Sequence, residues 1–303
     1  MSAASNQAPS AMNPAPMKSA AVKPTARKID AHQHFWRFSP AVHDWITSSM
    51  VILRDDFGPS DLAPLLATEG IAGSIAVQAA ATLEENTFLL GLADEHSQIL
   101  GVVGWVDLTA SPTARDRHLE RFASHPKAVG IRHLVQDEPD DRFLERADFR
   151  AGVASLAAHD LVYDLLIHTR HLEVATDFVR AIPDVPMVLD HLAKPPIASG
   201  DLAEWKRGIH QIARAENLSA KISGLVTEAN WQRWKPAEFR PVLDTALEAF
   251  GPTRLMLGSD WPVCLLSAGY TEVFALLESW LAELSVDERT AIEGGTAAWV
   301  YGV

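Results

Sequence analysis

The first apolar segment of the chain, residues 29–36, carries two histidines separated by one residue, His32 and His34. Side chains alternate between the two faces of a β-strand, so residues two apart point the same way. The two imidazoles can therefore converge on one point, as a metal ion or an oxyanion requires at a strand end. Two half-buried histidines in a hairpin would explain the same spacing equally well, so the rest of the chain has to decide.

Seven further short apolar segments follow the first and alternate with stretches of helical pattern. We predict strands at residues 29–36, 73–78, 99–106, 128–135, 161–168, 185–191, 218–223 and 254–260. Short apolar runs bounded by turn residues indicate strands buried on both faces, and their alternation with helices indicates parallel pairing. Eight such units predict an α/β fold of the (β/α)8 barrel type. The alternative is an open doubly wound sheet, but the Gly-rich phosphate loop expected after its first strand is missing.

Polar and ionisable residues recur at one end of these otherwise apolar strands. At the carboxyl ends of the predicted strands lie His32, His34, Gln78, Arg132, His133, His168, His191, Lys194, Lys221, Ser223 and Asp260. The active sites of (β/α)8 barrels lie at this end, and packing does not readily explain so many such residues on one rim. Adjacent residues of a strand point to opposite faces of the sheet. In each of the pairs Arg132–His133 and Asp190–His191, one side chain is therefore expected to face the barrel interior and the other the helices.

The composition of the chain limits the partners it can bind. Its 303 residues include 26 Lys and Arg against 39 Asp and Glu, a formal net charge of −13. This acidity argues against nucleic-acid binding and against anionic membrane surfaces, and no apolar run approaches the roughly 18 residues of a membrane span. The single cysteine, Cys264, rules out an intrachain disulfide and favours the reducing cytoplasm. We expect a small-molecule substrate, and a homo-oligomer is compatible with the sequence.

The first 26 residues differ from the rest of the chain, being rich in Ala, Pro, Ser and Asn. They lack the continuous apolar segment of a signal peptide. We predict a disordered leader over residues 1–26, with Met17 as an alternative start, and one barrel domain over residues 27–303. Two long loops, residues 37–59 and 224–236, bring aromatic residues to the rim of the barrel and are expected to shape its pocket.

Five segments of the chain resemble one enzyme family. They read Asp30-Ala-His-Gln-His-Phe-Trp36, Gly130-Ile-Arg-His133, Leu189-Asp-His-Leu-Ala-Lys-Pro195, Lys221-Ile-Ser-Gly224 and Gly258-Ser-Asp-Trp-Pro-Val263. In this order and at strand ends, they resemble the amidohydrolase superfamily. Within it they resemble the amidohydrolase-related sugar-lactonase group, with its L-fuconolactonase-like and L-rhamnonolactonase-like enzymes, which is similar to 2-pyrone-4,6-dicarboxylate and sulfomuconolactone hydrolases. The resemblance extends from Lys28 to Val303 and is specific for the family rather than for one substrate.

The resemblance implies one divalent metal ion, Zn²⁺, held by His32, His34, His168 and Asp260. Many metal-dependent amidohydrolases bridge two ions with a Lys or Glu at the end of the fourth strand, where this chain has Arg132. Arginine stays protonated and offers no lone pair to a metal, so a binuclear site is not expected. Related lactonases differ in their need for metal, which leaves a metal-independent enzyme as an alternative.

The reaction that the resemblance implies is hydrolysis of a lactone, such as an aldonolactone, by direct attack of water. Asp260 is expected to take the proton from water and to pass it to the leaving alkoxide. His168, Lys221 and Arg132 complete the predicted catalytic set, in which a metal ion or protein cations polarise the carbonyl. The residues expected to contact the substrate are Trp36, Gln78, His133, His191, Lys194 and Trp231.

Other functions are compatible with the same residues. One is a metal-dependent decarboxylase of a small aromatic or unsaturated acid, which would require metal and release CO2. Another is a hydrolase of a dicarboxylated pyrone or muconolactone. A sugar-acid binding protein that has kept the barrel is the least favoured, because binding alone does not need Asp260 beside the histidine pair.

Overall fold

Eight parallel strands pair with one another in chain order. The computed structural model describes residues 27–303. Its strands are β1 Lys28–Gln33, β2 Ile71–Val77, β3 Ile99–Gly104, β4 Ala128–His133, β5 Val162–Leu165, β6 Met187–Leu189, β7 Leu218–Ile222 and β8 Leu255–Leu257. The predicted leader, residues 1–26, lies outside the described residues.

Backbone hydrogen bonds just beyond β1 and β8 close the sheet. Asp260 N donates to His32 O over 2.8 Å, and His34 N donates to Trp261 O over 2.7 Å. Because helices lie between successive strands, the predicted (β/α)8 barrel is confirmed. The closure also places the residues that follow β1 and β8 side by side.

The helices start and end where local chemistry favours it. Within residues 27–303 they are α1 Pro59–Glu69, α2 Leu83–Glu95, α3 Pro112–Ala123, α4 Ala147–Ala154, α5 Leu172–Ala181, α6 Ala203–Ile212, α7 Pro236–Phe250, α8 Tyr270–Leu281, α9 Val286–Thr290 and α10 Thr296–Tyr301. Thr82 caps α2, because its hydroxyl accepts a hydrogen bond from Glu85 N over 3.2 Å. Gly70 ends α1 in the left-handed conformation, with φ at 65°. In the described part of the chain, no helix is both long enough and apolar enough to cross a bilayer.

Apolar side chains pack in two main regions of the barrel. The larger region lies between strands and helices. A smaller one joins strand residues such as Ile75, Val103 and Met256 to the C-terminal helix α10. Tyr301 of α10 donates a hydrogen bond to Asp164 Oδ1 on β5 over 2.9 Å, so this helix also holds a buried carboxylate of the barrel.

Candidate active site

His32 lies near the end of β1, and His34 directly follows the strand. Their Nε2 atoms are 3.2 Å apart, and both residues are buried. The predicted convergence of the two imidazoles is therefore confirmed. Asp30 is bonded elsewhere, since its carboxylate accepts hydrogen bonds from Ser259 Oγ at 2.6 Å and Tyr270 Oη at 3.1 Å. Burial raises the pKa of Asp30 to about 6, even though these hydrogen bonds oppose the shift.

The Asp260 carboxylate meets the two rings from the β8 side of the barrel. Its Oδ1 lies 3.3 Å from His34 Nε2 and 3.6 Å from His32 Nε2. His191 Nε2 lies 3.9 Å from the same oxygen. Burial by itself would raise the pKa of Asp260, but His191 and the two other rings outweigh it and hold the pKa below its ordinary value. Asp260 is therefore ionised at neutral pH.

Contacts on the far sides of the rings fix their orientation. His34 Nδ1 is 2.7 Å from Val77 O, and a carbonyl can only accept a hydrogen bond. His34 Nδ1 therefore carries a proton and donates it to this carbonyl, while Nε2 points to Asp260. His32 Nδ1 lies 3.3 Å from Asp190 Oδ1, the kind of carboxylate contact that orients metal-binding histidines.

His32 Nε2, His34 Nε2 and Asp260 Oδ1 form a donor set suited to one cation. Their separations of 3.2, 3.3 and 3.6 Å compare with the ~3.3 Å expected between ligands held about 2.0–2.1 Å from a tetrahedral Zn²⁺. An imidazole nitrogen and a carboxylate oxygen this close are stabilised by a positive charge between them, which a proton or a metal ion can supply. Three protein ligands also leave the open position typical of catalytic zinc sites. The residues present therefore fit a divalent metal ion.

Four buried charged side chains lie next to His32. Lys221 Nζ is 2.5 Å from Asp164 Oδ2, 3.0 Å from Asp190 Oδ1 and 3.2 Å from His32 Nδ1. Arg132 Nη1 lies 3.1 Å from Asp190 Oδ2. Burial raises the pKa of Asp164 to about 6. The pKa of Asp190 is well below its ordinary value, because Lys221 and His32 outweigh the effect of burial.

A second group of potential metal ligands, from His32, Asp190 and His191, lies beside the first. The ammonium of Lys221 already contacts two of its atoms, at 3.0 Å from Asp190 Oδ1 and 3.2 Å from His32 Nδ1. A metal ion at this position would be repelled by the ammonium. The arrangement therefore favours one metal ion rather than two.

Residues 191–194 form a left-handed turn directly after β6. All four have positive φ, between 51° and 58°, although none is glycine. Since this conformation costs L-residues about 1–2 kcal/mol each, the surroundings must impose it. Trp205 Nε1 donates to one carbonyl of the turn over 2.7 Å, and Thr169 Oγ1 lies 3.1 Å from each of two more. The turn brings His191 and Lys194 to the same cavity.

His191 is held from its other side by the end of β7. Its Nδ1 lies 2.9 Å from Ser223 Oγ. Gly224 follows with φ at 63°, and a Cβ there would lie 2.6 Å from His191 Nδ1 and 3.1 Å from Asp260 Oδ2. This close approach and this φ both require glycine. Burial lowers the pKa of His191 to about 4, with Asp260 opposing the shift, so the ring is neutral at pH 7.

These groups open into a cavity of about 350 Å³. Side chains that line it include Trp45, Arg132, His168, Lys194, Glu228 and Trp231. Trp45 belongs to loop 37–59 and Trp231 to loop 224–236, so both predicted loops form walls of the cavity. The volume lies within the usual range of small-molecule sites.

Most of the predicted site residues meet at this cavity. It is lined by His34, Arg132, His168, His191, Lys194, Trp231 and Asp260. His32 contacts His34 and Asp260 from within the barrel. His168, predicted as a fourth metal ligand, lines the cavity but lies outside both groups of potential ligands. β5 ends at Leu165, so strand geometry does not direct His168 to the ring pair.

Two predicted substrate-binding residues, Trp36 and His133, lie outside the cavity lining. Trp36 is buried under loop 37–59, where its Nε1 donates to Asp55 O over 2.9 Å. His133 stacks on Phe143 with 5.1 Å between ring centroids, and its Nε2 lies 2.6 Å from Glu138 Oε1. His133 therefore faces the helices, as the parity alternative allowed, and neither residue lines the cavity.

Two further residues, Lys221 and Gln78, lie beneath the cavity instead of in it. Both are fully buried and neither lines the cavity. Lys221 contacts His32, and Gln78 contacts Arg132 through its Oε1 at 3.4 Å and its backbone oxygen. The structure therefore places the predicted residues Lys221 and Gln78 in contact with His32 and Arg132 and not in the cavity lining.

Sequence reasoning assigned no site role to Asp190 or Glu228. Asp190 was expected to face away from His191 by strand parity, but β6 ends at Leu189 and the left-handed turn overrides that parity. Glu228 ends a 3₁₀ turn after β7 and lines the cavity. The sequence feature that could have indicated a site role for Glu228 is its position in loop 224–236, which was predicted to shape the pocket.

A (β/α)8 barrel with a histidine pair at the end of its first strand and an aspartate after its last has the architecture of a hydrolase of the amidohydrolase type. A sequence model of the amidohydrolase family matches residues 29–303. The chain belongs to the amidohydrolase family, which confirms the predicted resemblance.

Individual relatives are similar over nearly the whole chain. An L-fucono-1,5-lactonase of Burkholderia multivorans is 45% identical, over 92% of this chain and 97% of that protein. Another, of Burkholderia ambifaria, is 36% identical over 91% of this chain and 96% of that protein. A crystal structure of a Burkholderia multivorans amidohydrolase with bound zinc is 45% identical, with a TM-score of 0.86 and coverage of 91% and 99% of the two chains.

Proposed function

We propose that this protein hydrolyses the ring ester of a sugar-acid lactone to the open hydroxy acid. The observation that carries the proposal is the ionised Asp260 carboxylate, 3.3 Å from His34 Nε2 and 3.6 Å from His32 Nε2, beside a cavity of about 350 Å³. A base next to a cation-binding donor set is what water attack on a carboxylic ester requires.

The first candidate substrate is L-fucono-1,5-lactone. Two relatives that cover nearly the whole chain, at 45% and 36% identity, carry the name L-fucono-1,5-lactonase. The reaction would belong to carbohydrate catabolism, and we place it in the cytoplasm, where the single cysteine stays reduced.

Asp260 acts as the general base and then as the acid. It takes a proton from the attacking water and returns it to the ring oxygen as the C–O bond breaks. Since Oδ1 faces the histidine rings, Oδ2 is the oxygen left to hold the proton. Neutral His191, whose Nε2 lies 3.9 Å from Asp260 Oδ1, can donate or accept a hydrogen bond at an oxygen of the reacting ester or of the attacking water.

His32, His34 and Asp260 would hold the divalent ion, and the zinc-containing relative supports Zn²⁺. When bound, the ion polarises the lactone carbonyl and lowers the pKa of water. The alternative is a metal-independent reaction, in which Arg132, whose Nη1 lies 3.3 Å from His32 Nε2, and the underlying Lys221 supply the positive charge. A chelator distinguishes the two.

Lys194, His168 and Trp231 contact the sugar. Burial and the nearby Lys194 lower the pKa of His168 to about 4, so a neutral ring faces the substrate. Trp231 Nε1 already donates to Thr227 O over 2.8 Å, which leaves the indole ring for the apolar face of the sugar.

The test follows acid release from L-fucono-1,5-lactone, corrected for spontaneous hydrolysis, with the full-length protein. Wild type, Asp260→Asn and the exposed control Asp184→Asn are each assayed after chelator treatment and after Zn²⁺ addition, and bound zinc is measured by elemental analysis. We expect Asp260→Asn to lose about 10²–10⁴-fold in kcat and to bind zinc less tightly, while Asp184→Asn matches wild type.

Failure of the wild type to open any aldonolactone, together with CO2 release from an aromatic acid, would refute the proposal in favour of a decarboxylase. Full activity after the chelator has removed all zinc would leave the lactonase proposal in place and support the metal-independent route.

A further inference from the structure

Two opposite charges, those of Lys194 and Glu228, face the cavity without partners. Lys194 ends the left-handed turn after β6, and Glu228 ends the 3₁₀ turn after β7. Within residues 27–303, neither charged group makes a hydrogen bond or lies within 4.0 Å of an opposite charge. Both therefore keep their hydrogen-bonding capacity for a ligand.

Arg132, the other strong cation of the lining, is not free in the same way. Its Nη1 contacts Asp190 Oδ2 at 3.1 Å and His32 Nε2 at 3.3 Å, and its Nη2 donates to Gln78 O. The fork that would bind a carboxylate with two parallel hydrogen bonds is thus engaged from within the barrel. Lys194 is left as the cation that a ligand meets.

Carboxylates outnumber the available cation at the cavity. Asp137 and Glu228 line it together with Lys194, whereas the charge of Asp260, which also lines it, would be offset by the proposed divalent ion. A lactone that carries one or two carboxylates would bring like charges together, which costs binding energy in a partly buried site. A sugar hydroxyl both donates and accepts hydrogen bonds, so adjacent hydroxyls match an ammonium and a carboxylate at the same time.

We infer that Lys194 and Glu228 form a hydroxyl-binding pair that selects uncharged polyhydroxylated lactones and rejects carboxylated ones. The inference rests on the proposed lactone hydrolysis and adds the substrate class. One hydroxyl accepts a hydrogen bond from the Lys194 ammonium, and its neighbour donates to the Glu228 carboxylate. Carboxylated pyrones and muconolactones are excluded by the same charges.

The same charges act on the product. Ring opening converts the neutral lactone into a carboxylate in the same cavity as Asp137 and Glu228. Repulsion from these two side chains favours release of the acid, so product inhibition is expected to be weak. This gives the inference a second readout that does not depend on how fast the ring opens.

The experiment compares wild type, Glu228→Gln, Lys194→Met and the exposed control Glu248→Gln. Each is assayed on L-fucono-1,5-lactone, on an aldonolactone lacking one hydroxyl and on a carboxylated lactone, and inhibition by L-fuconate is measured. Because hydrogen bonds to charged groups are the stronger ones, Glu228→Gln should raise KM for the neutral lactone about 10-fold with kcat changed far less. It should also tighten inhibition by L-fuconate and improve kcat/KM for the carboxylated lactone.

Lys194→Met should raise KM for the neutral lactone similarly but should not improve use of the carboxylated one. If wild type hydrolyses neutral and carboxylated lactones equally well, or if Glu228→Gln leaves KM and product inhibition unchanged, the inference is overturned while the lactonase proposal stands. If no lactone is hydrolysed, both fall. Unchanged kinetics of Glu248→Gln would show that the effects belong to the cavity and not to net charge.

Discussion

Replacing Thr169 by valine tests whether the left-handed turn after β6 is imposed by its surroundings. The four residues 191–194 store about 4–8 kcal/mol of conformational strain, from about 1–2 kcal/mol for each. The Thr169 hydroxyl lies 3.1 Å from two carbonyls of the turn. Valine has nearly the same shape but leaves those acceptors without this donor, at an expected cost of about 1–3 kcal/mol in the free energy of unfolding.

The same substitution should also affect activity, because the turn carries His191 and Lys194 to the cavity. A shift of either side chain by about 1 Å would lower kcat/KM on the order of 100-fold. Urea unfolding at fixed pH gives the stability change, and lactone hydrolysis gives kcat and KM. Thr169→Ser keeps the hydroxyl and should restore both properties. Thr68→Val, which removes an exposed hydroxyl bonded within α1, should change neither by much.

A Thr169→Val protein with the wild-type unfolding midpoint and wild-type kinetics would refute this reasoning. It would show that Trp205, whose Nε1 donates to Leu192 O over 2.7 Å, and the local packing hold the turn without the hydroxyl. Equal losses in Thr169→Val and Thr169→Ser would instead point to packing of the side chain rather than to its hydrogen bonds.

Two further predictions concern buried and half-buried charge. Lys221→Met leaves the buried carboxylates of Asp164 and Asp190 without their ammonium partner. It should lower the free energy of unfolding, measured in urea, by about 3–5 kcal/mol. A variant as stable as the wild type would contradict the importance of these ion pairs. Burial lowers the pKa of His168 from its ordinary value of 6.5 to about 4, so between these two pH values the ring is neutral in the folded protein and protonated in the unfolded chain. Its contribution to stability should therefore be unaffected above pH 6.5 and be lost as the pH falls toward 4. His168→Gln should lessen that acid loss, and an identical stability–pH profile would count against the shift.

The fold was predictable because each strand is a continuous apolar run. All eight predicted strands overlap the observed ones, but each prediction extends too far at the carboxyl end. The prediction for the fifth strand reaches residue 168, whereas β5 ends at Leu165. Periodicity reports burial and not backbone pairing, so it cannot separate the last strand residues from buried residues of the following turn.

Site residues that lie on a strand were predictable from strand geometry, whereas those in the turns after a strand were not. His32 and His34 met as their spacing indicated, with 3.2 Å between their Nε2 atoms. Asp190 was misjudged because a left-handed turn of non-glycine residues has no local sequence signal. The site role of Glu228 depends on loop conformation, which sequence spacing does not determine.

The buried charges explain why this barrel would hold one metal ion rather than two. Asp190 contacts His32 Nδ1 at 3.3 Å, Arg132 at 3.1 Å and Lys221 at 3.0 Å, so its charge is balanced by fixed protein cations. The ammonium of Lys221 takes the position that a second ion would need. Within residues 27–303, Asp260 has only imidazole rings and no Lys or Arg within 4.0 Å, so it is the carboxylate that a mobile cation can neutralise. Because Asp190 is held in ion pairs with Arg132 and Lys221 and Asp260 is not, Asp260 would be the base in the reaction.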